Sequence, residues 1–249
     1  MGYVFGQGCL RLGIIFVWGL VLGSFYHAWA WRMVHGQSIV RGRSCCPVCG
    51  HELSARELIP VVSWLWQRGH CRHCGVAIPV RYPLMELLTA LLFASLAWRY
   101  TGMQLFSMLV LGSLLLVIAL VDYDSWLIPD FLLLAGLLLY VPLQWLSDSL
   151  NVLVLGRALL SGCAVAVPLL LFVLAADAVL QKPSMGGGDI KLFFLLGVYL
   201  GVKKAMLTLF LSCIIGLVWQ LLQQRLEPGA AFPFAPSIAV AAWVVIMWQ

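Results

Sequence analysis

Gln104-Leu-Phe-Ser-Met-Leu-Val-Leu-Gly-Ser-Leu-Leu-Leu-Val-Ile-Ala-Leu-Val121 runs straight into Asp122-Tyr-Asp-Ser-Trp-Leu-Ile-Pro-Asp130. The first stretch carries no ionisable side chain. As a helix rising about 1.5 Å per residue it approaches the roughly 30 Å depth of a bilayer's hydrocarbon core. Comparable apolar runs lie at 12–31, 83–98, 131–147, 157–180, 190–201, 203–222 and 231–249. Together they predict an all-α, polytopic membrane protein with about eight transmembrane helices. The composition agrees: 63% of the 249 residues are hydrophobic and 10% charged, with mean hydropathy +0.99. Ordinary soluble domains carry about 25% charged residues. A soluble globular chain and a disordered one are both excluded, because too few polar groups exist to cover a watery surface.

The net charge of +5 is not a nucleic-acid signature. Arg32, Arg41, Arg43, Arg56, Arg68, Arg72 and Arg81 fall in one polar stretch, and basic loops beside membrane spans mark the cytoplasmic side. The first fifteen residues lack the order of a cleavable secretory signal, so the span after them is expected to remain as an anchor. Lipid is therefore the first partner. The sixth run is short for a crossing, and Lys203 and Lys204 follow it on the side where basic residues are not expected. The spaced pairs Gly19 with Gly23 and Gly197 with Gly201 read as ordinary glycine use in membrane helices.

The polar loop at 32–82 contains Cys46-Pro-Val-Cys49 and Cys71-Arg-His-Cys74. Each C-x-x-C turns tightly and offers two thiolates on one side, and two such pairs complete the tetrahedron that zinc prefers. Gly50 and Gly75, just past each pair, permit the left-handed turn such knuckles use. The reading is a structural Cys₄ zinc site, ribbon-like, on Cys46, Cys49, Cys71 and Cys74. Disulfides are the alternative, opposed by a cytoplasmic loop. Cys45 is a spare neighbour, and His51, His70 and His73 are substitute ligands. Cys9, Cys163 and Cys213 read as packing residues. His51-Glu52 lacks the second histidine of a metalloprotease motif.

All five histidines precede residue 75, which removes histidine-dependent chemistry from the rest of the chain. Acids there are few, and an ionisable residue beside a span is a functional hypothesis by default. Alternate loops share a membrane face, so the loops at 122–130 and 181–189 lie on the same side as the cysteine loop. Asp148 falls on the opposite side as a solvated charge. Asp189 ends Met185-Gly186-Gly187-Gly188-Asp189, where glycines allow unusual backbone shapes and close approach. Paired with Asp122 it could share one proton, the ionised member activating water while the protonated one polarises a peptide carbonyl. Asp124 and Asp130 compete with Asp122 for the first role, although Asp130 reads better as the start of the next helix.

The chain resembles the type IV prepilin peptidases, bacterial inner-membrane aspartic peptidases of type IV pilus and type II secretion systems. The motifs agree in order: Leu22-Gly-Ser-Phe25, Arg43-Ser-Cys-Cys-Pro-Val-Cys-Gly-His51, Glu57-Leu-Ile-Pro60, Gly69-His-Cys-Arg-His-Cys74, Arg81-Tyr-Pro-Leu-Met-Glu86, Ile128-Pro-Asp130 and Gly186-Gly-Gly-Asp189-Ile-Lys191. The resemblance implies catalysis by Asp122 and Asp189 at the cytoplasmic face of the inner membrane. It implies removal of a short basic leader from prepilins or pseudopilins after a glycine. It also implies N-methylation of the new terminus with S-adenosylmethionine, associated with the amino-terminal half. Residues 1–103 would then form that half, with the first two spans and the zinc loop, and residues 104–249 the peptidase region. His27 stands where the family usually has asparagine, which leaves peptidase activity alone as the alternative. Ala235 replaces a glycine in Pro233-Phe-Ala-Pro236, a change read as leaving proteolysis untouched. Glu86 is expected to serve the amino-terminal half, or to cap or pair with Arg81.

Other classes fit less well. A proton-coupled transporter with an aspartate relay would place acids within spans rather than at their ends. A presenilin-like peptidase would carry a Pro-Ala-Leu segment. A Ser-Lys peptidase would need Ser184 beside Lys182 or Lys191.

Overall fold

The structure is a computed structural model and describes residues 2–38, 42–147, 151–182, 184–226 and 232–248. Asp148 and Glu227 lie outside the described residues. The elements are α1 (Gly2–Val34), a 3₁₀ turn (Ala55–Leu58), α2 (Val62–Trp66), α3 (Arg81–Arg99), α4 (Gly102–Ser125), α5 (Asp130–Leu146), α6 (Val152–Leu180), α7 (Gly187–Leu226) and α8 (Ala235–Met247). Among the described residues there is no strand. Four helices, α1 from Gly8, α4, α6 and α7 as far as Gln223, are long and apolar enough to cross a membrane, and α5 and α8 are shorter apolar helices. The chain divides into two compact units, 1–100 and 101–249.

In the amino-terminal unit α1 and α3 run antiparallel. Arg11 donates to Ala97 O at 2.8 Å, and His27 packs on the Tyr82 ring with centroids 4.2 Å apart. Between these contacts Gly19 and Gly23 let the backbones meet. A Cβ on Gly19 would come 2.6 Å from Ala90 Cα, and one on Gly23 would come 2.9 Å from Glu86 Cα. That corrects the reading of these glycines as ordinary usage: they are the contact line of the helix pair.

The second unit is built around α4, where Leu114, Leu115, Val117 and Val121 are buried, whereas most of α6 is exposed or half-buried. Leu111, Ile118, Leu132, Leu192, Leu195 and Ile238 are fully buried there. Gly136 on α5 admits the Leu114 and Leu195 side chains, and Gly197 on α7 lies against the Gly162 backbone on α6. The sixth and seventh apolar runs are two helices that meet at Gly201, whose φ of 77° and ψ of 167° are non-helical. This break, accessible to glycine at little cost, ends the short sixth run and leaves Lys203 and Lys204 near the start of the second helix. Cys9, Cys163 and Cys213 are exposed rather than packed inside, because apolar faces of membrane helices turn outward toward lipid.

Candidate active site and metal-binding loop

Asp122 lies in the last turn of α4. The helix stops just beyond it, where Trp126 takes a left-handed conformation (φ 62°) and its N–H donates to Asp122 O. The Asp122 side chain is buried at 6% exposure. Its Oδ2 accepts the Ala235 N–H at 2.9 Å, and the Phe234 N–H is a second donor. Ala235 opens α8, with Pro236 in its first turn. Asp122 thus occupies the anion position of a helix N-terminus, where unpaired N–H groups and the helix dipole favour negative charge. Sequence reasoning missed these donors. Proline in the first helical turn was the available signal for a helix start.

Asp189 lies in the first turn of α7, half-buried. Its N–H donates to Gly186 O at 3.1 Å, and its carboxyl group interacts electrostatically with Asp122. The two acids, distant in sequence, therefore lie within electrostatic reach of each other in this unit. The glycines before Asp189 differ in what they do. A Cβ on Gly188 would lie 2.9 Å from Ile128 Cβ and one on Gly186 would lie 3.1 Å from Asp189 Oδ2, whereas Gly187 faces open space. None of the three has a positive φ, and Gly187 and Gly188 are already helical. The expectation of unusual backbone shapes is corrected: at Gly186 and Gly188 the requirement is close approach.

The competing acids go elsewhere. Asp124 and Asp130 are exposed, and both Asp130 oxygens accept Lys191 Nζ, at 2.8 and 2.9 Å. This pair ties the start of α5 to the second turn of α7. The Ser184 N–H and hydroxyl both donate to Asp177 Oδ1 at 2.6 Å. With Lys191 on Asp130 and Lys182 exposed, no Ser-Lys pair is assembled around Ser184.

In the amino-terminal unit the two cysteine knuckles repeat one another. Cys46 N–H donates to His51 O and Gly50 N–H to Cys46 O, while Cys71 N–H donates to Val76 O and Gly75 N–H to Cys71 O, all at 2.9 Å. Gly50 and Gly75 both have φ of 70°, the left-handed turn expected of them. The strand character of a ribbon is reduced to two isolated antiparallel bridges, Cys45 with Glu52 and His70 with Ala77. All eight cysteines are free thiols. The Sγ atoms of Cys46, Cys49, Cys71 and Cys74 lie within 4.8 Å of one another, with Cys46 and Cys74 at 3.8 Å. A tetrahedral thiolate site with bonds of about 2.3 Å has S···S edges of roughly 3.8 Å, so the donor set fits a tetrahedral metal ion. Backbone N–H groups of Cys49 and then Val48 pull the Cys46 thiol down to about 6. The Cys74 thiol, although the Val76 N–H works against it, is pushed up to about 12 by burial and by its neighbouring thiols. Four crowded thiols cannot all ionise without a cation among them, and a divalent metal would meet that need.

Glu86, expected as a cap, an ion pair with Arg81 or an amino-terminal functional group, is buried. It accepts the Val61 N–H at 2.6 Å and is hydrogen-bonded to Ser24.

The fold and site together define a helical membrane protein with two coupled carboxylates at helix ends and a separate tetrathiol loop. Residues 17–100 match the bacterial peptidase A24 N-terminal domain, and residues 109–221 match the type IV leader peptidase family. The chain belongs to the type IV leader peptidase family. The prepilin leader peptidase/N-methyltransferase of Bacillus subtilis (strain 168) is 37% identical, over 95% of this chain and 94% of that one. The proteins of the same name from Aeromonas salmonicida (strain A449) and Pseudomonas aeruginosa are each 37% identical, over 83% and 85% of this chain and 71% and 73% of theirs. No solved structure matches the chain.

Proposed function

We propose that this protein is a membrane aspartic endopeptidase that cuts the short basic leader from type IV prepilins or pseudopilins after a glycine, at the cytoplasmic face of a bacterial inner membrane. The observation that carries this reading is the electrostatic coupling of half-buried Asp189 to Asp122. Two carboxyl groups so placed share one proton. Asp122, already receiving backbone N–H bonds, is suited to remain ionised and draw a proton from the attacking water, because such bonds strengthen toward a carboxylate. Asp189 holds the shared proton and donates it to the scissile carbonyl oxygen. Lys191 and Asp130 fix the turn that presents Asp189. Eight crossings follow if α3, α5, α8 and both parts of the broken α7 are counted with α1, α4 and α6, and this returns both acids to one membrane face.

The tetrathiol loop holds a structural zinc ion through Cys46, Cys49, Cys71 and Cys74, with no coordination position left for a reactant. The amino-terminal region, 1–103, serves a second activity, N-methylation of the new terminus, with S-adenosylmethionine as methyl donor; 104–249 is the peptidase region. The relatives' names support both activities. The test is to incubate detergent-solubilised protein with a prepilin, with and without S-adenosylmethionine, and measure product masses. Loss of the leader in both arms and a further methyl in one is the expected result. An uncut prepilin would refute the peptidase, and a cut but unmethylated product would leave peptidase activity alone.

A further inference from the structure

The loop of the amino-terminal unit carries an apolar face that its own fold does not cover. Leu58, Ile59, Val62, Leu65 and Trp66 are all exposed, Leu65 at 61% and Trp66 at 73%. They stand in one short exposed stretch, which the non-helical residues 59–61 divide into two elements. It runs through the 3₁₀ turn, which Ser54 and Glu57 cap with hydrogen bonds of 2.7 and 2.9 Å, and on through α2. Trp64 turns the other way: its indole N–H donates to Ile78 O at 3.0 Å, and its ring fills the space where a Cβ on Gly69 would sit. The loop therefore has an inside, and the five apolar side chains are not on it.

A strained turn fixes the level of this face. Val62 N–H donates to Pro60 O at 2.6 Å, closing a γ-turn around Val61 with φ 60° and ψ −50°. That conformation is rare and costly for a β-branched residue. It is held by the bond from Val61 N–H to Glu86. Glu86 is in the second turn of α3, about 7 Å from that helix's start, and its partner Ser24 lies about 15 Å before the end of α1. The turn thus sits alongside the apolar portion of the helix pair rather than beyond its ends. If the helix pair spans a bilayer, an apolar face that continues from that turn has lipid rather than bulk water beside it. Arg56 and Arg68, both exposed, flank it with the charge that anionic headgroups attract, and Trp66 is the side chain best suited to the boundary between headgroup and acyl chain.

We propose that residues 55–68 form an interfacial anchor. The face of Leu58, Ile59, Val62, Leu65 and Trp66 enters the headgroup–acyl boundary of one leaflet, and Arg56 and Arg68 engage anionic phospholipid headgroups. This depends on the chain spanning a membrane and not on its peptidase activity. The test is photocrosslinking of the full chain in proteoliposomes of phosphatidylethanolamine and phosphatidylglycerol. p-Benzoylphenylalanine is placed at Trp66 and, as a lipid-facing reference, at Leu91, which is exposed in the middle of α3. A phospholipid adduct is expected at both positions. At 66 the ratio of phosphatidylglycerol to phosphatidylethanolamine adducts should exceed their ratio in the bilayer by about fivefold for each engaged arginine, and Arg56→Gln with Arg68→Gln should bring it back to the bilayer ratio. Failure of position 66 to take lipid while Leu91 does, or its crosslinking to protein instead, would overturn the anchor. An unchanged lipid preference in the double variant would overturn the role of the arginines.

Discussion

Asp122 Oδ2 accepts the Ala235 N–H at 2.9 Å across 113 residues of sequence. The acid at the end of α4 is oriented by the first turn of α8, so Pro233-Phe-Ala-Pro236 is part of the support for the candidate site. The side chain at 235 is 1% exposed, while the group that matters is its backbone N–H. Ala235→Gly keeps that donor and should leave prepilin cleavage within a few-fold of the parent. Ala235→Leu overpacks the position at a cost of about 1–3 kcal/mol and should reduce both thermal stability and cleavage. Equal cleavage by the leucine variant would show that the α8 contact does not govern Asp122.

The acid pair makes a sharper demand. Asp122→Asn and Asp189→Asn should each lower cleavage by about 10²–10⁴-fold, the usual loss when a positioned acid or base is removed, with the protein still folded and inserted. Asp124→Asn alters an exposed side chain and should be mild. Near-parental cleavage by either of the first two variants would sink the assignment, and complete loss in the third would move the first role from Asp122.

Gly186, Gly187 and Gly188 form an internal comparison. Gly188→Ala places a methyl 2.9 Å from Ile128 Cβ, and Gly186→Ala places one 3.1 Å from an Asp189 oxygen, while Gly187→Ala meets nothing within 4 Å. The first two should impair cleavage, and the third should be silent or stabilising by roughly 0.5–1 kcal/mol, since alanine favours a helix over glycine. Melting curves together with cleavage rates decide it. Equal behaviour of all three alanines would mean that space is not the constraint.

Helix positions were legible because a membrane helix is written as an uninterrupted apolar run. The tetrathiol loop was legible because its ligands are local pairs. Less visible were features that depend on a backbone atom far away in the chain. Nothing around Asp122 announces the Ala235 N–H, and nothing around Glu86 announces the Val61 N–H. Gly19 and Gly23 carry no local mark that separates a helix contact from ordinary usage, because the deciding atom is the Ala90 or Glu86 backbone opposite. At Gly201 the run length hinted at a break, and only the backbone angle distinguishes a kink from a loop.

The exposed pair Lys191–Asp130, with side chains 57% and 70% accessible, is close at 2.8 Å. Surface pairs of this kind contribute about 0–1 kcal/mol, so a double-mutant cycle of Lys191→Met and Asp130→Asn should give a coupling in that range and weaken further in high salt. A coupling well above it would mean the pair is shielded from water in the membrane-bound protein.

Metal content tests the loop independently of the acids. Purified protein should carry about one zinc per chain, the amount a single Cys₄ site holds. Cys46→Ser with Cys74→Ser should lose it, because two thiolates cannot complete the tetrahedron, whereas Cys45→Ser should retain it, since Cys45 lies outside the four-thiol cluster. Lowering the pH should release the ion as protons compete for the thiolates. With little core of its own, the loop should then lose hydrogen-exchange protection around Cys46–Gly50 and Cys71–Gly75, while α1 and α3, locked through Gly19 and Gly23, remain protected. A metal-free preparation with both knuckles still protected would show that hydrogen bonds alone hold the loop.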